Sequence, residues 1–303
     1  MPRPIVALIY DFDKTLSPRD MQEYTVLPDI NMQPGDFWDA CADFTNEHQM
    51  DSVLTYLYLM QHMAKGNTRL TREALREMGK KVEFFPGVES WFSRIREIGR
   101  ELDVEVEHYI ISSGQAEIIE GSRIGHEFKA IFAASFYYDE SGLPVWPCSA
   151  VNYTSKTQYL FRINKGILDV RNDRDLNAFT PEYKRRIPFS NMIYIADGLT
   201  DVPCMKMTRQ KGGFAIAVHP PGKTETADDL LLQGRADFSV DADYTENSDL
   251  ETIVTLLMRR IRAASDVSMI HAKHVQRAHE RRGEYVPLNI PMRGGMEDGS
   301  EIE

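Results

Sequence analysis

Apolar residues along the chain fall into two rhythms. Residues 5–10 (Ile5-Val6-Ala7-Leu8-Ile9-Tyr10) are continuously apolar and stop at Asp11, the pattern of a strand covered on both faces. Shorter runs of the same kind recur at residues 108–112, 130–133, 192–196 and 214–218, with a weaker one at 238–240. Between them, apolar positions repeat at helical spacing. Val88, Trp91, Phe92, Ile95 and Ile98 follow Pro86-Gly87, and similar patterns cover residues 115–124 and 157–163. Strands alternating with helices predict an α/β fold built on a doubly wound, Rossmann-like parallel sheet.

One stretch departs from this alternation. From about residue 17 to 85 there is no strand pattern, and helices are predicted over 37–48, 53–64 and 71–81, punctuated by Pro34-Gly35 and Gly66. A small α-helical cap domain over 17–85 is therefore expected, inserted into a core made of 1–16 and 86–265. Aromatic residues around Asp139-Glu140-Ser141-Gly142 predict a β-hairpin over 136–145. Residues 168–188 are polar and irregular, as in a surface excursion. From Leu250 a helix is expected, then a basic stretch. Residues 266–303 are set apart as a C-terminal helix and a flexible tail, 287–303, rich in Gly, Met and acid.

Composition narrows the function classes. A chain of 303 residues suits two domains, and 42% hydrophobic with 27% charged residues excludes wholesale disorder. Acidic residues number 46 against 35 basic ones, a net charge of −11. That balance argues against nucleic acid, whose phosphates need a basic face, and against a polybasic membrane anchor. No apolar run reaches the roughly 18 residues of a membrane span, and the N-terminal run is too short for a signal peptide. Three cysteines (Cys41, Cys148, Cys204) without a C-x-x-C pair fit neither a disulfide framework nor zinc. A soluble, cytoplasmic protein that meets small molecules is expected, with its oligomeric state left open.

The chemistry sits where the apolar runs end. The first run gives way to Asp11-Phe12-Asp13-Lys14-Thr15. Carboxylates ending a buried strand are costly unless paired, solvated or bound to metal, and open α/β sheets bind ligands beyond the carboxyl ends of strands. The second candidate is Ile110-Ile111-Ser112-Ser113-Gly114, where hydroxyls and free N–H groups could hold an anionic oxygen. Ser112 ends the strand more directly than Ser113. The third is Ile195-Ala196-Asp197-Gly198-Leu199-Thr200-Asp201, with Gly198 taken to permit a tight turn. The fourth is Lys156, at the start of a predicted helix. The helix dipole disfavours a cation there unless an anion lies nearby. Lys165, beside Gly166 at the other end of that helix, is the alternative. Each signal taken singly also fits an ordinary turn, cap or surface residue.

Together, and in this order, the four motifs resemble those of the haloacid dehalogenase superfamily of aspartate-nucleophile phosphohydrolases. The resemblance covers residues 5–15 and 86–245. Phe84-Phe85-Pro86-Gly87-Val88 and Ile131-Phe132-Ala133 look like its phosphoserine phosphatase branch. The long interval between the first two motifs fits a helical cap at that point. The resemblance implies a Mg²⁺-dependent phosphatase acting on a small phosphomonoester through an aspartyl-phosphate. It makes Asp11 the nucleophile and Asp13 the general acid and base, with a pKa raised by neighbouring carboxylates. Mg²⁺ would rest on Asp11, Asp197 and the backbone carbonyl of Asp13. Ser112 and Lys156 would bind the phosphoryl oxygens, Thr15 would steady the loop, and Asp201 would orient ligands or reach Lys156. A phosphomutase and a catalytically silent binding protein are the alternatives.

Substrate choice is assigned to the cap. Asp20 and Glu23 stand near the place where the resemblance implies an acidic contact to a substrate amine. Phe37, Trp38, Phe44, Tyr56 and Tyr58 either form a cation-binding aromatic cage or pack the cap. Arg19 either meets a substrate carboxylate or lies in solvent. His271, His274 and His279 stand among Lys273, Arg277, Arg281 and Arg282. They read as a solvent- or partner-facing helix rather than a metal cluster.

Overall fold

A computed structural model describes residues 3–64 and 70–282. Its sheet is formed by β1 (Ile5–Tyr10), β2 (Glu105–Gln115), β3 (Ala130–Tyr138), β4 (Pro144–Ser149), β5 (Met192–Ala196), β6 (Phe214–His219) and β7 (Phe238–Asp241), in the order β4-β3-β2-β1-β5-β6-β7. Every neighbouring pair is parallel except β3 and β4, which form the expected antiparallel hairpin. The chain builds outward from β1 through β2 to β4, then returns to β5 on the other side of β1. The strand order thus reverses at β1, the position where such sheets open a crevice.

The apolar run of β1 is buried on both sides. Val6, Leu8 and Tyr10 enter one core cluster, and Ala7 and Ile9 the other, as the alternation of strand side chains requires. The first cluster is closed by α6 (Val88–Glu101), α7 (Ala116–Gly121) and α12 (Asp249–Arg281). The second is closed by α8 (Lys156–Lys165), α10 (Val202–Gln210) and α11 (Glu225–Leu232). On α6, Val88, Trp91, Phe92 and Ile95 of the predicted stripe are wholly buried and Ile98 is partly buried, each fully buried side chain stabilising the fold by about 1.5–3 kcal/mol.

Between β1 and α6 all described regular structure is helical: α1 (Met21–Tyr24), α2 (Val26–Asp29), α3 (Pro34–His48), α4 (Ser52–Met63) and α5 (Arg72–Gly79). Local chemistry sets their starts. Pro34 opens α3, the Asp51 carboxylate accepts from the Val53 and Leu54 N–H groups, and Thr71 Oγ1 accepts from Ala74 N–H. The buried residues of this insert, among them Met21, Phe37, Leu57 and Leu75, belong to the same cluster as Leu8 and Trp91. The insert therefore packs on the sheet's core rather than around one of its own. It is fastened where α5 crosses α7. A Cβ on Gly121 would stand 2.0 Å from Arg76 O, so the two backbones nearly touch.

Several boundaries differ from the sequence reading. The division drawn at 265/266 falls inside α12. No Gly or Pro interrupts residues 249–281, and Ser248 caps the start by accepting from Glu251 N–H. The helix expected over 115–124 shrinks to α7 because Ser122 turns extended. The helix expected over 71–81 ends at Gly79. Residues 168–188 contain α9 (Asp173–Asn177), pinned by the Arg162 guanidinium, which donates to the Asp169 and Val170 carbonyls and to the Asp173 carboxylate. The short helices α1, α2, α9, α10 and α11 carry too few apolar positions to announce themselves. Gly66 and the tail expected over 287–303 lie outside the described residues. No helix among the described residues is long and apolar enough to cross a membrane.

Candidate active site

β1, β2 and β5 lie side by side, so the residues just past the level where β1 and β5 end converge; β2 itself runs on through an irregular stretch to Gln115, so Ser112 lies within the strand and not at its end. Tyr10 is level with Ile110 and Ile195, and the Asp11 N–H continues the ladder to Ile195 O at 3.0 Å. Lys156, the first residue of α8, is wholly buried. Its Nζ lies 3.3 Å from Asp11 Oδ1 and 2.8 Å from Asp201 Oδ1. Lys165 points elsewhere. Its Nζ donates to the Leu176 and Ala178 carbonyls at 2.6 and 2.7 Å and ties down the excursion.

Carboxylate oxygens of Asp11, Asp197 and Asp201 all fall within 4.8 Å of one another. This is the one such group of three or more acidic, His or Cys side chains among the described residues, so His271, His274 and His279 form none. The Asp13 carboxylate stands apart. Its Oδ1 accepts from the Met21 N–H at 2.8 Å, at the start of α1. Thr15 Oγ1 donates to Asp197 Oδ1 at 3.4 Å, and Thr15 O accepts from Tyr244 OH at 2.8 Å. Ser112 is buried, and its Oγ accepts from the Gly114 N–H at 3.0 Å.

The loop holding these groups is strained at one residue. Lys14 has φ 58°, a left-handed conformation that costs a non-glycine residue roughly 1–2 kcal/mol. Three bonds close the turn around it, from Thr15, Leu16 and Ser17 N–H to Phe12 O at 3.4, 2.9 and 3.2 Å. The turn brings Lys14 Nζ to Asp20 Oδ2 at 2.9 Å.

Three clustered carboxylates, Asp11, Asp197 and Asp201, crowd around one ammonium, and the proton affinities of Asp11 and Asp197 rise. Burial, then the charge of Asp201, pushes Asp11 up from 3.8 to about 8, against the pull of Lys156. Burial and Asp201 push Asp197 up to about 6. Asp13 is held well above the ordinary carboxylate range, first by burial and then by Asp20 and Asp11. Neighbouring carboxylates thus act in the expected direction on Asp13, but desolvation is the larger cause. Burial opposes the charge on Lys156, and Asp11 and Asp201 overcome it. A hard divalent cation suits this donor set. It prefers oxygen ligands, would favour the ionised carboxylates, and would find Asp11 Oδ1 buried with no hydrogen bond beyond its ion pair with Lys156.

Three hydroxyl contacts escaped the sequence reading. Tyr194 OH donates to Asp201 Oδ1, and Thr200 Oγ1 donates to Asp201 Oδ2 at 2.7 Å. With Lys156 they fix both oxygens of Asp201. Tyr56 OH, on α4, donates to Ser113 O at 2.7 Å and joins the insert to the second motif. The reason given for Gly198 does not hold. Its backbone is extended (φ −143°, ψ −177°) and a Cβ would meet nothing within 4 Å.

Gly114 is the glycine the site needs. A Cβ there would lie 2.1 Å from Met21 Cε and 2.9 Å from Asp13 Oδ2. On the reading of Asp13 as general acid and base, Gly114→Ala is expected to push aside the Met21 side chain and the Asp13 carboxylate and to lower turnover about tenfold or more, part of the roughly 10²–10⁴-fold such a group contributes. Steady-state kinetics of the purified variant checks this, and turnover equal to wild type would refute the steric role.

In front of the carboxylates opens a cavity of about 430 Å³ between the insert and the strand ends. Asp13, Asp20, Gln22, Trp38, Tyr56 and Ser113 are part of its wall. Glu23 is not, and burial moderately raises its pKa. The five cap aromatics divide. Trp38 and Tyr56 line the cavity, Phe37 is wholly buried, and Phe44 stacks on Tyr58 with ring centroids 5.3 Å apart. Arg19 sits over the Tyr24 ring at 4.2 Å and pairs with Glu83.

No protein-family model matches the sequence. An uncharacterized protein of Borreliella burgdorferi is 29% identical over 275 residues, covering 81% of this chain and 94% of that protein. Among solved structures, a HAD-family hydrolase of Salmonella enterica serovar Typhi is 14% identical with a TM-score of 0.53. That match covers 79% of this chain and 68% of that one. A phospho-aspartyl intermediate analogue of phosphoserine phosphatase is 15% identical with a TM-score of 0.50, covering 84% and 99% of the two chains. A probable phosphoserine phosphatase from Vibrio cholerae, unliganded, is 11% identical with a TM-score of 0.53, covering 86% and 66%. The chain has the fold of these haloacid dehalogenase-type hydrolases, including phosphoserine phosphatases.

Proposed function

We propose that this protein is a haloacid dehalogenase-superfamily phosphatase that hydrolyses a small phosphomonoester through an aspartyl-phosphate. One observation carries the reading. A buried ammonium, Lys156, is held between Asp11 and Asp201 beyond the ends of β1 and β5, with Asp197 in the same cluster and Asp13 set apart at the cavity. Phosphoryl transfer needs charge neutralisation, alignment and proton management, and these residues supply each.

Asp11 attacks phosphorus as the ester P–O bond breaks, forming the aspartyl-phosphate. Asp13, protonated in its buried setting, gives its proton to the departing alkoxide. It then takes one from the water that cleaves the acyl phosphate. Ser112 and Lys156 hold phosphoryl oxygens, and Asp201 keeps the Lys156 ammonium in place. Asp11, Asp197 and the backbone carbonyl of Asp13 would hold Mg²⁺, whose charge keeps Asp11 ionised and offsets the phosphate. Residues 17–85 form the cap over the α/β core, to which α12 belongs. The three free cysteines suit a reducing, cytoplasmic setting.

The test is phosphate release from a panel of phosphomonoesters with Mg²⁺, repeated in excess chelator. Turnover that disappears with chelator is the expected result. Turnover unaffected by chelator would remove the metal from the reading. No release across a wide panel would favour a silent binding protein.

A further inference from the structure

The wall of the cavity restricts the alcohol that can leave. Among the described residues that line it there is no lysine, arginine or histidine, and its acidic side chains are Asp13, which keeps its proton, and Asp20. The two cations nearest in the chain are engaged: Lys14 with Asp20, and Arg19 with Tyr24 and Glu83. A carboxylate on the leaving group would meet no cation in this wall to offset its lost hydration and would face Asp20.

The wall also carries two buried polar atoms that lack a partner. Gln22 is 2% exposed, and its Oε1 accepts no hydrogen bond. Trp38 Nε1 is buried and donates none. Both residues line the cavity, and unpaired buried polar atoms of this kind call for a ligand or a water. The indole ring of Trp38 and the ring of Tyr56 meet edge to face, centroids 6.1 Å apart, and offer apolar surface beside these atoms.

We infer that the site takes phosphomonoesters whose leaving alcohol bears no negative charge and presents an O–H or N–H group to Gln22 Oε1. Amino alcohol and polyol phosphates satisfy this, whereas phospho-amino acids and phospho-hydroxy acids do not. The inference rests on the phosphatase reading for the identity of the ligand and is tested without turnover.

The experiment is calorimetric binding to the Asp11→Asn protein with two matched pairs. Phosphoserine is phosphoethanolamine with an added carboxylate, and 3-phosphoglycerate is glycerol 3-phosphate with its terminal hydroxymethyl group replaced by a carboxylate. The first pair reads a cationic leaving group and the second a neutral one. In each pair the member without the carboxylate is expected to bind at least tenfold tighter. Gln22→Leu, checked for an unchanged melting temperature, is expected to lose about tenfold in affinity for glycerol 3-phosphate. Equal or tighter binding of the carboxylated member in either pair overturns the inference, as does no binding of any of the four. If the ligands bind but wild-type protein releases no phosphate from them, the phosphatase reading fails and the pocket preference stands.

Discussion

Asp11→Asn is expected to lower Mg²⁺-dependent phosphate release by on the order of 10³-fold or more, the scale seen when a covalent nucleophile is removed. The amide is nearly isosteric but cannot form the aspartyl-phosphate. The same substitution carries a signature in stability. In cation-free protein, burial and Asp201 raise Asp11 from 3.8 to about 8. Between those values the folded state keeps a proton that the unfolded chain has released. Folding stability therefore falls as pH rises through that window. Asn has no such proton to lose. In chelator, the melting temperature of the variant is expected to gain on that of wild type from pH 5 to pH 8. Mg²⁺ should then raise the wild-type melting temperature more than that of the variant. Retained turnover would refute the nucleophile. Wild-type and variant stability profiles that run parallel with pH would refute the buried, cation-seeking carboxylate.

The parts of the molecule legible in the sequence are those with a strong local signal. β1, β5 and β6 are short apolar runs with nowhere to lie except a covered sheet, and their ends put Asp11 and Asp197 beside each other once β1 and β5 pair. Lys156 was legible because a lysine opening a helix is electrostatically odd on its own, and the oddity resolves when two carboxylates meet its Nζ. What was not legible depends on tertiary distance. Tyr194 alternates onto the α8 face of β5 as any strand residue would, and no pattern shows that its hydroxyl reaches Asp201. Nor does spacing separate Trp38 and Tyr56, which line the cavity, from Phe37, which fills the core, because all three lie on helices with apolar neighbours. Gly114 and Gly198 show the same limit from the other side. Both look like turn residues, yet only Gly114 is demanded by the space around it.

Lys156→Met tests the electrostatic arrangement from its cationic side. Met fills a similar volume with an unbranched chain, so the substitution removes charge with little change in packing. The Asp11 and Asp201 carboxylates then share a buried site without their ammonium. Breaking a buried ion pair in this way costs about 3–5 kcal/mol, to be read from denaturant unfolding at pH 8 in chelator. The penalty has a defined pH dependence. Asp11, already pushed up to about 8 by burial and Asp201, takes up its proton still more readily without Lys156. The uncompensated charge is therefore smaller at pH 5, and so is the loss of stability. Adding Asp201→Asn should restore part of the stability at pH 8, because the two residues are in contact and their effects do not add. It should not restore turnover, since no ammonium remains for the phosphoryl oxygens. A Lys156→Met penalty that is the same at pH 5 and pH 8 would mean that packing around the side chain, rather than its charge between two carboxylates, is what the fold requires of Lys156.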